Sequence, residues 1–200
     1  MFDVALRRLV DPALIRMAGW ITHTPLSANM VTISGAGLAL GAAFSVTQSN
    51  FTAALVFILL NRIVDGLDGA VARINGPTAF GGYLDTICDY IFYLSVPIAF
   101  GLTSAINQIP ALLLVASFTL TAVSFLAFAA LAEKRGFADT ALPGKSFYFL
   151  GGLTEATETI AVFASMCMWP MHFAVLAYSF ATLCSITTVM RVVWGYQRLR

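Results

Sequence analysis

The sequence predicts an all-α, polytopic membrane protein: six transmembrane helices preceded by an N-terminal amphipathic juxtamembrane helix. Composition points there first. Of 200 residues, 59% are hydrophobic and only 10% charged, and the mean hydropathy is +0.85, whereas soluble domains carry about 25% charged residues. So few charges exclude a water-soluble domain, a disordered chain and a basic nucleic-acid-binding surface. Cys88, Cys167 and Cys184 all lie inside apolar runs and read as small hydrophobes, not as a disulfide framework. Length comes second: a bilayer-crossing helix needs about 20 mostly apolar residues. Six runs qualify, at 29–48, 51–73, 79–104, 109–132, 147–168 and 171–193.

The elements follow in order. Residues 1–28 form a unit of their own, because Phe2–Ile21 mixes Leu6, Leu9, Val10, Leu14, Ile15, Met17 and Trp20 with Arg7, Arg8 and Arg16. That mixture suits a helix lying on the membrane surface, and it lacks the clean apolar core of a signal peptide. Residues 29–200 form the six-helix domain. Arg7, Arg8 and Arg16 precede the first span, Arg73 sits after the second, Lys134, Arg135 and Lys145 lie between the fourth and fifth, and Arg198 and Arg200 follow the last. The connections near Gln48–Asn50, Ser104–Gln108 and Trp169–His172 carry no Lys or Arg. The positive-inside rule therefore places both termini and the charged side in the cytoplasm, with a bacterial inner membrane as the expected location.

Charges at membrane depth are costly and mark sites. The second span ends in Asn61-Arg62-Ile63-Val64-Asp65-Gly66-Leu67-Asp68-Gly69-Ala70-Val71-Ala72-Arg73. After Asn75-Gly76-Pro77, the third begins with Gly81-Gly82-Tyr83-Leu84-Asp85-Thr86-Ile87-Cys88-Asp89. Asp65 and Asp68 share one helix face, and Gly81, Asp85 and Asp89 share another. With a short connection the two helices are expected to be antiparallel neighbours, so that four carboxylates converge. Four anions so placed call for a cationic partner. Oxygen ligands without His or Cys favour magnesium, manganese or calcium over zinc. Paired divalent ions clamp the oxygens of a phosphoryl or phosphodiester transfer. Gly66, Gly69, Ala72, Gly81 and Gly82 remove bulk around the acids, either for close approach of a ligand or for helix packing.

This stretch resembles the signature of the CDP-alcohol phosphotransferases, the CDP-alcohol phosphatidyltransferase family. Its Asp-x2-Asp-Gly-x2-Ala-Arg-x8-Gly-x3-Asp-x3-Asp pattern is met by Asp65, Asp68, Gly69, Ala72, Arg73, Gly81, Asp85 and Asp89, with seven residues instead of eight between Arg73 and Gly81. The resemblance implies an enzyme of phospholipid biosynthesis that displaces CMP from a CDP-linked donor with an alcohol hydroxyl. It implies that Asp65, Asp68, Asp85 and Asp89 ligate two divalent ions, Mg2+ or Mn2+, and that Asp89 is also the general base. It implies further that Gly66, Gly69, Ala72, Arg73 and Gly81 line the CDP pocket and that the chain forms a homodimer. The expected donor is CDP-diacylglycerol and the acceptor a polar alcohol. Transfer from a soluble CDP-alcohol to diacylglycerol is the alternative, and a cation transporter a more distant one.

Secondary candidates for the nucleotide or acceptor pocket are Asn29, Thr32, Arg62, Lys145, Glu155, Glu158 and Arg191. Asn29, Thr32 and Gly35 are similar to an Asn-x2-Thr-x2-Gly element of the family. Gly35 stands where members that make phosphatidylglycerol phosphate often have Arg, which speaks against glycerol phosphate as acceptor. Glu155 and Glu158 are expected inside the fifth span, with Arg62 and Arg191 as partners, either as a buried ion pair or as a wall of the polar cavity. Lys145, with Lys134 and Arg135, either meets an anionic headgroup or only sets topology. His23 and His172 have no ligand spacing. The aromatics Phe92, Tyr93, Phe100, Phe118, Phe125 and Phe128 are expected to face lipid or a dimer partner.

Overall fold

Sustained apolar runs with few internal breakers give seven α-helices in the computed structural model, which describes residues 2–135 and 154–200, with only the backbone for residues 2–9. They are α1 (Phe2–Ile21), α2 (Ala28–Thr47), α3 (Phe51–Asn75), α4 (Ala79–Thr103), α5 (Ala105–Lys134), α6 (Ala156–Met168) and α7 (Phe173–Leu199), with one 3₁₀ turn at Pro170–His172. The described residues contain no strand. Among the described residues, four helical stretches are long and apolar enough to cross a membrane: α2, α4, α5 and Pro170–Leu199. α3 is as long as α4 but carries Arg62, Asp65, Asp68 and Arg73 in its second half.

Local chemistry sets the helix ends. Asn50 caps α3 by accepting from the Ala53 amide at 3.1 Å, and Thr78 caps α4 by accepting from the Gly81 amide at 3.0 Å. Between α3 and α4 the chain reverses through Gly76, whose φ of +94° is a conformation that side-chain-bearing residues rarely adopt. The expected loop at Ser104–Gln108 shrinks to a break at Ser104 alone. Its polar residues serve the helices instead: Asn107 donates through Nδ2 to Thr103 Oγ1 at 3.1 Å, across the break.

Packing departs from the expected neighbour relationship. α3 and α4 make almost no close backbone approach to each other; α2 packs against both, and α3 and α4 meet through side chains such as Phe51 with Phe100 and Arg62 with Asp89. The third interlayer contact of note is α1, which lies on α3 through Leu14 and Ala18 against Leu67, Ala70 and Val71. The aromatics also correct the sequence reading. Phe92, Phe100, Phe118 and Phe128 are buried between helices instead of facing lipid. Facing helices offer small residues such as Ala39, Ala42, Ala54 and Ala177, and the rings fill the space these leave. Phe100 stacks on Phe51 and Phe173 with centroids 5.8 and 4.7 Å apart, and Phe163 meets Phe92 and Phe118 at 5.4 and 6.0 Å. The outward faces stay apolar, with Phe44, Leu102, Ile106 and Val175 exposed.

Candidate active site

The acids lie on the second half of α3 and the first half of α4, which face each other across a cavity that α2 borders. Asp65, Asp85 and Asp89 each bring a carboxylate oxygen within 4.8 Å of the others, and all three are half-buried. Three hard oxygen donors at that separation fit a divalent cation of the magnesium or manganese type. Asp68 is not part of this triplet. Its side chain is buried and lies against Thr32 of α2, which itself donates to the Ala28 carbonyl at 3.0 Å. Asp68 still lines the small cavity that Asp65 and Asp89 face, bounded by Thr32, Gly35 and Ala36 of α2, Asn61, Arg62, Asp65 and Asp68 of α3, and Cys88 and Asp89 of α4. On the α2 side the wall of this cavity is made of the small residues Gly35 and Ala36 together with Thr32.

Arg62 forms one side of this cavity. Its Nη2 donates to Asp89 Oδ1 at 3.1 Å, and its Nη1 lies 3.5 Å from Asp65 Oδ2. Its Nε donates to Asn61 Oδ1 at 2.8 Å, and Asn61 Nδ2 donates to the Gly35 carbonyl at 2.9 Å. The guanidinium carbon stands 4.4 Å from the centre of the Phe92 ring. The expected partnership of Arg62 with Glu155 and Glu158 gives way to this one, because Asp65 lies one turn away on the same helix face.

The acids that carry the signature thus lie together, Asp65, Asp68 and Asp89 lining one cavity and Asp85 beside Asp65 and Asp89, and the sequence model for CDP-alcohol phosphatidyltransferases matches residues 25–194. The chain belongs to the CDP-alcohol phosphatidyltransferase family. It is 40% identical to "Inner membrane protein YnjF" of Escherichia coli strain K12 over 201 residues, covering 100% of this chain and 98% of that one. A shorter match, 34% identical over 89 residues, joins it to the archaetidylinositol phosphate synthase of Methanothermobacter thermautotrophicus, covering 44% of this chain and 42% of that one. Among solved structures it is similar to the Mycobacterium tuberculosis phosphatidylinositol phosphate synthase PgsA1. The crystal structure of PgsA1 with CDP-DAG bound gives a TM-score of 0.74 at 22% identity, covering 92% of this chain and 93% of that chain. The structure with manganese and citrate gives 0.74 at 24%, covering 92% and 88%. At that identity the likeness is one of fold.

Membership in the CDP-alcohol phosphatidyltransferase family makes the chain a transferase of phospholipid synthesis. The remaining positions sort by where the fold puts them. Gly81 lies beside Asn29, with a Cβ there 3.3 Å from Asn29 Oδ1 and 3.0 Å from Thr78 Oγ1, so the starts of α2 and α4 meet closely. Gly69 lies along the Arg73 side chain, which is exposed, and Ala72 is half-buried. Gly66 faces Leu14 of α1 and not the acids. Glu155 and Glu158 stand at the start of α6 instead of in its interior: Glu155 is the N-cap, and the two form a capping box in which the Glu155 amide donates to Glu158 Oε2 at 3.2 Å. Arg191 donates to the Thr121 carbonyl at 3.0 Å and lies 5.5 Å from the Phe125 ring. Lys145 lies outside the described residues. Asn61, Ala36 and Cys88 line the cavity without having been singled out; Cys88 precedes Asp89 directly, and Asn61 lies one turn before Asp65.

Proposed function

We propose that the chain is an integral inner-membrane enzyme that moves a phosphatidyl group from CDP-diacylglycerol to a polar alcohol and releases CMP. The observation that carries this reading is the approach of the Asp65, Asp85 and Asp89 carboxylates to within 4.8 Å at the family's signature positions. In this reading α3 and α6 complete six crossings. α1 lies at the interface, its Ile15, Met17 and Trp20 exposed to the headgroup region. Both termini and the acids face the cytoplasm, as the Lys and Arg distribution asks. The resemblance to the family adds a homodimer.

Asp65, Asp85 and Asp89 would hold divalent ions, Mg2+ or Mn2+, with Asp68 at the α2 side of the same cavity. Such ions, when bound, neutralise the donor's pyrophosphate and make CMP a better leaving group. Asp89 takes the proton from the acceptor hydroxyl as its oxygen bonds to the phosphatidyl phosphorus and the bond to CMP breaks. Gly69, Ala72, Arg73 and Gly81 border the cytoplasmic mouth, where cytidine enters, while the lipid tails lie between helices.

The test is CMP release by the purified chain in lipid nanodiscs. CDP-diacylglycerol is supplied with magnesium or manganese and a panel of polyols, amino alcohols and phosphorylated alcohols. Metal-dependent CMP with one acceptor class is the expected result. No CMP across the whole panel overturns this donor and acceptor assignment.

A further inference from the structure

Arg62 belongs to none of the signature positions, yet more polar contacts in the cavity converge on it than on any acid. Its side chain is only 11% exposed. Three anchors fix it from behind: Asn61 Oδ1 at 2.8 Å, the Phe92 ring at 4.4 Å and the Tyr93 ring at 5.8 Å. Asn61 is itself buried and tied to the Gly35 carbonyl of α2. What remains of the guanidinium points at Asp89 and Asp65, at 3.1 and 3.5 Å. A guanidinium held this way is largely desolvated, and its fork spans carboxylates from two helices whose backbones make almost no close approach.

We propose that Arg62 is a positioning residue and resident counter-cation of the acidic site: it holds Asp65 and Asp89 together before any divalent ion arrives, and it stays beside that ion afterwards. This rests on the reading of Asp65, Asp85 and Asp89 as metal ligands given above. Two consequences separate charge from shape. The fixed positive charge repels an incoming cation, so it sets metal affinity below what the carboxylates alone would reach. The planar fork orients Asp89, so it sets turnover. A lysine keeps the charge and loses the fork.

The full chain in nanodiscs is compared with R62Q and R62K, and three quantities are read. In R62Q, Mn2+ counted by electron paramagnetic resonance binds at least about tenfold tighter, the effect of removing one near charge even at a water-like dielectric. In R62K, Mn2+ affinity stays within about twofold of the parent while kcat falls at least about tenfold with KM for the donor unchanged, because orientation of the base and not binding is lost. In excess EDTA, a double-mutant cycle between R62Q and Asp89→Asn on thermal unfolding gives a non-zero coupling. Unchanged or weaker Mn2+ binding in R62Q, or a kcat in R62K equal to the parent's, overturns the proposal. Should the parent bind no Mn2+, the metal reading itself falls, and the EDTA cycle alone decides: coupling upholds the positioning role and zero coupling removes it.

Discussion

Leu14 of α1 occupies the notch at Gly66 of α3, so that a Cβ built on Gly66 would stand 2.7 Å from Leu14 Cδ1. Gly66 directly follows Asp65, which means the N-terminal helix is seated against the helix turn that carries a metal-ligand candidate. The contact is with the end of a flexible side chain, so Gly66→Ala is accommodated by a small rotation of Leu14. Gly66→Leu has no such escape and displaces α1. We expect the alanine variant to unfold within a few degrees of the parent. The leucine variant should unfold earlier and lose residues 1–28 to mild proteolysis; resistance equal to the parent's would contradict this seating.

Asp89→Asn keeps the size of the side chain and removes the base. Loss of a general base costs about 10²–10⁴-fold in turnover. CMP formation should fall by that order in Asp89→Asn while the variant still retains CDP-diacylglycerol in an equilibrium binding measurement. Turnover near the parent's would move the base elsewhere.

The donor set makes a prediction about metals. EDTA should abolish CMP release, and magnesium or manganese should restore it, because all three converging ligands are carboxylate oxygens. Zinc prefers nitrogen and sulfur donors and should restore it poorly. Activity that persists through exhaustive chelation would rule out a metal role for Asp65, Asp85 and Asp89.

Glu158 distinguishes a helix cap from a substrate contact. Glutamine retains the acceptor that the Glu155 amide uses, so Glu158→Gln should match the parent in both stability and KM for the acceptor alcohol. Glu158→Ala loses the cap and about 1 kcal/mol of stability. A rise in acceptor KM in the glutamine variant would give Glu158 a place in the acceptor pocket.

Gly76 sits at φ +94°, and an added Cβ would meet nothing within 4 Å. Any cost of Gly76→Ala is therefore conformational and not steric crowding, about 1–2 kcal/mol. Calorimetry in nanodiscs should show that loss. An unchanged midpoint would mean that the turn can adopt another path.

Much of the site could be read from spacing alone, and the reason is local. Asp65 with Asp68, and Asp85 with Asp89, share faces because helical geometry acts over three and four residues, and Asn75-Gly76-Pro77 is a turn wherever it occurs. What spacing does not carry is which helix lies beside which. The packing of α2 against both α3 and α4 depends on small residues such as Gly35 and Ala39 meeting residues far along the chain. The partner of Arg62 turned on the same problem: Glu155 and Asp89 were both distant acids, and only the packed fold chooses between them. Hydropathy was equally blind for Phe92, Phe100 and Phe118, since a ring suits lipid and a helix interior alike. Glu155 and Glu158 were misplaced because everything said of them hung on where α6 begins.

The position of α2 gives the site a dimension that none of its acids controls. One side of the cavity is closed by α2 at Gly35 and Ala36, where a Cβ on Gly35 would touch Val64 and Asn61 at 3.5 and 3.7 Å. One methyl fits there without displacement, and a larger group acts as a wedge. Relatives or designed variants can thus widen or narrow the gap for acceptors of different girth by exchanging small residues on α2, with every ligand, base and counter-charge left as it is.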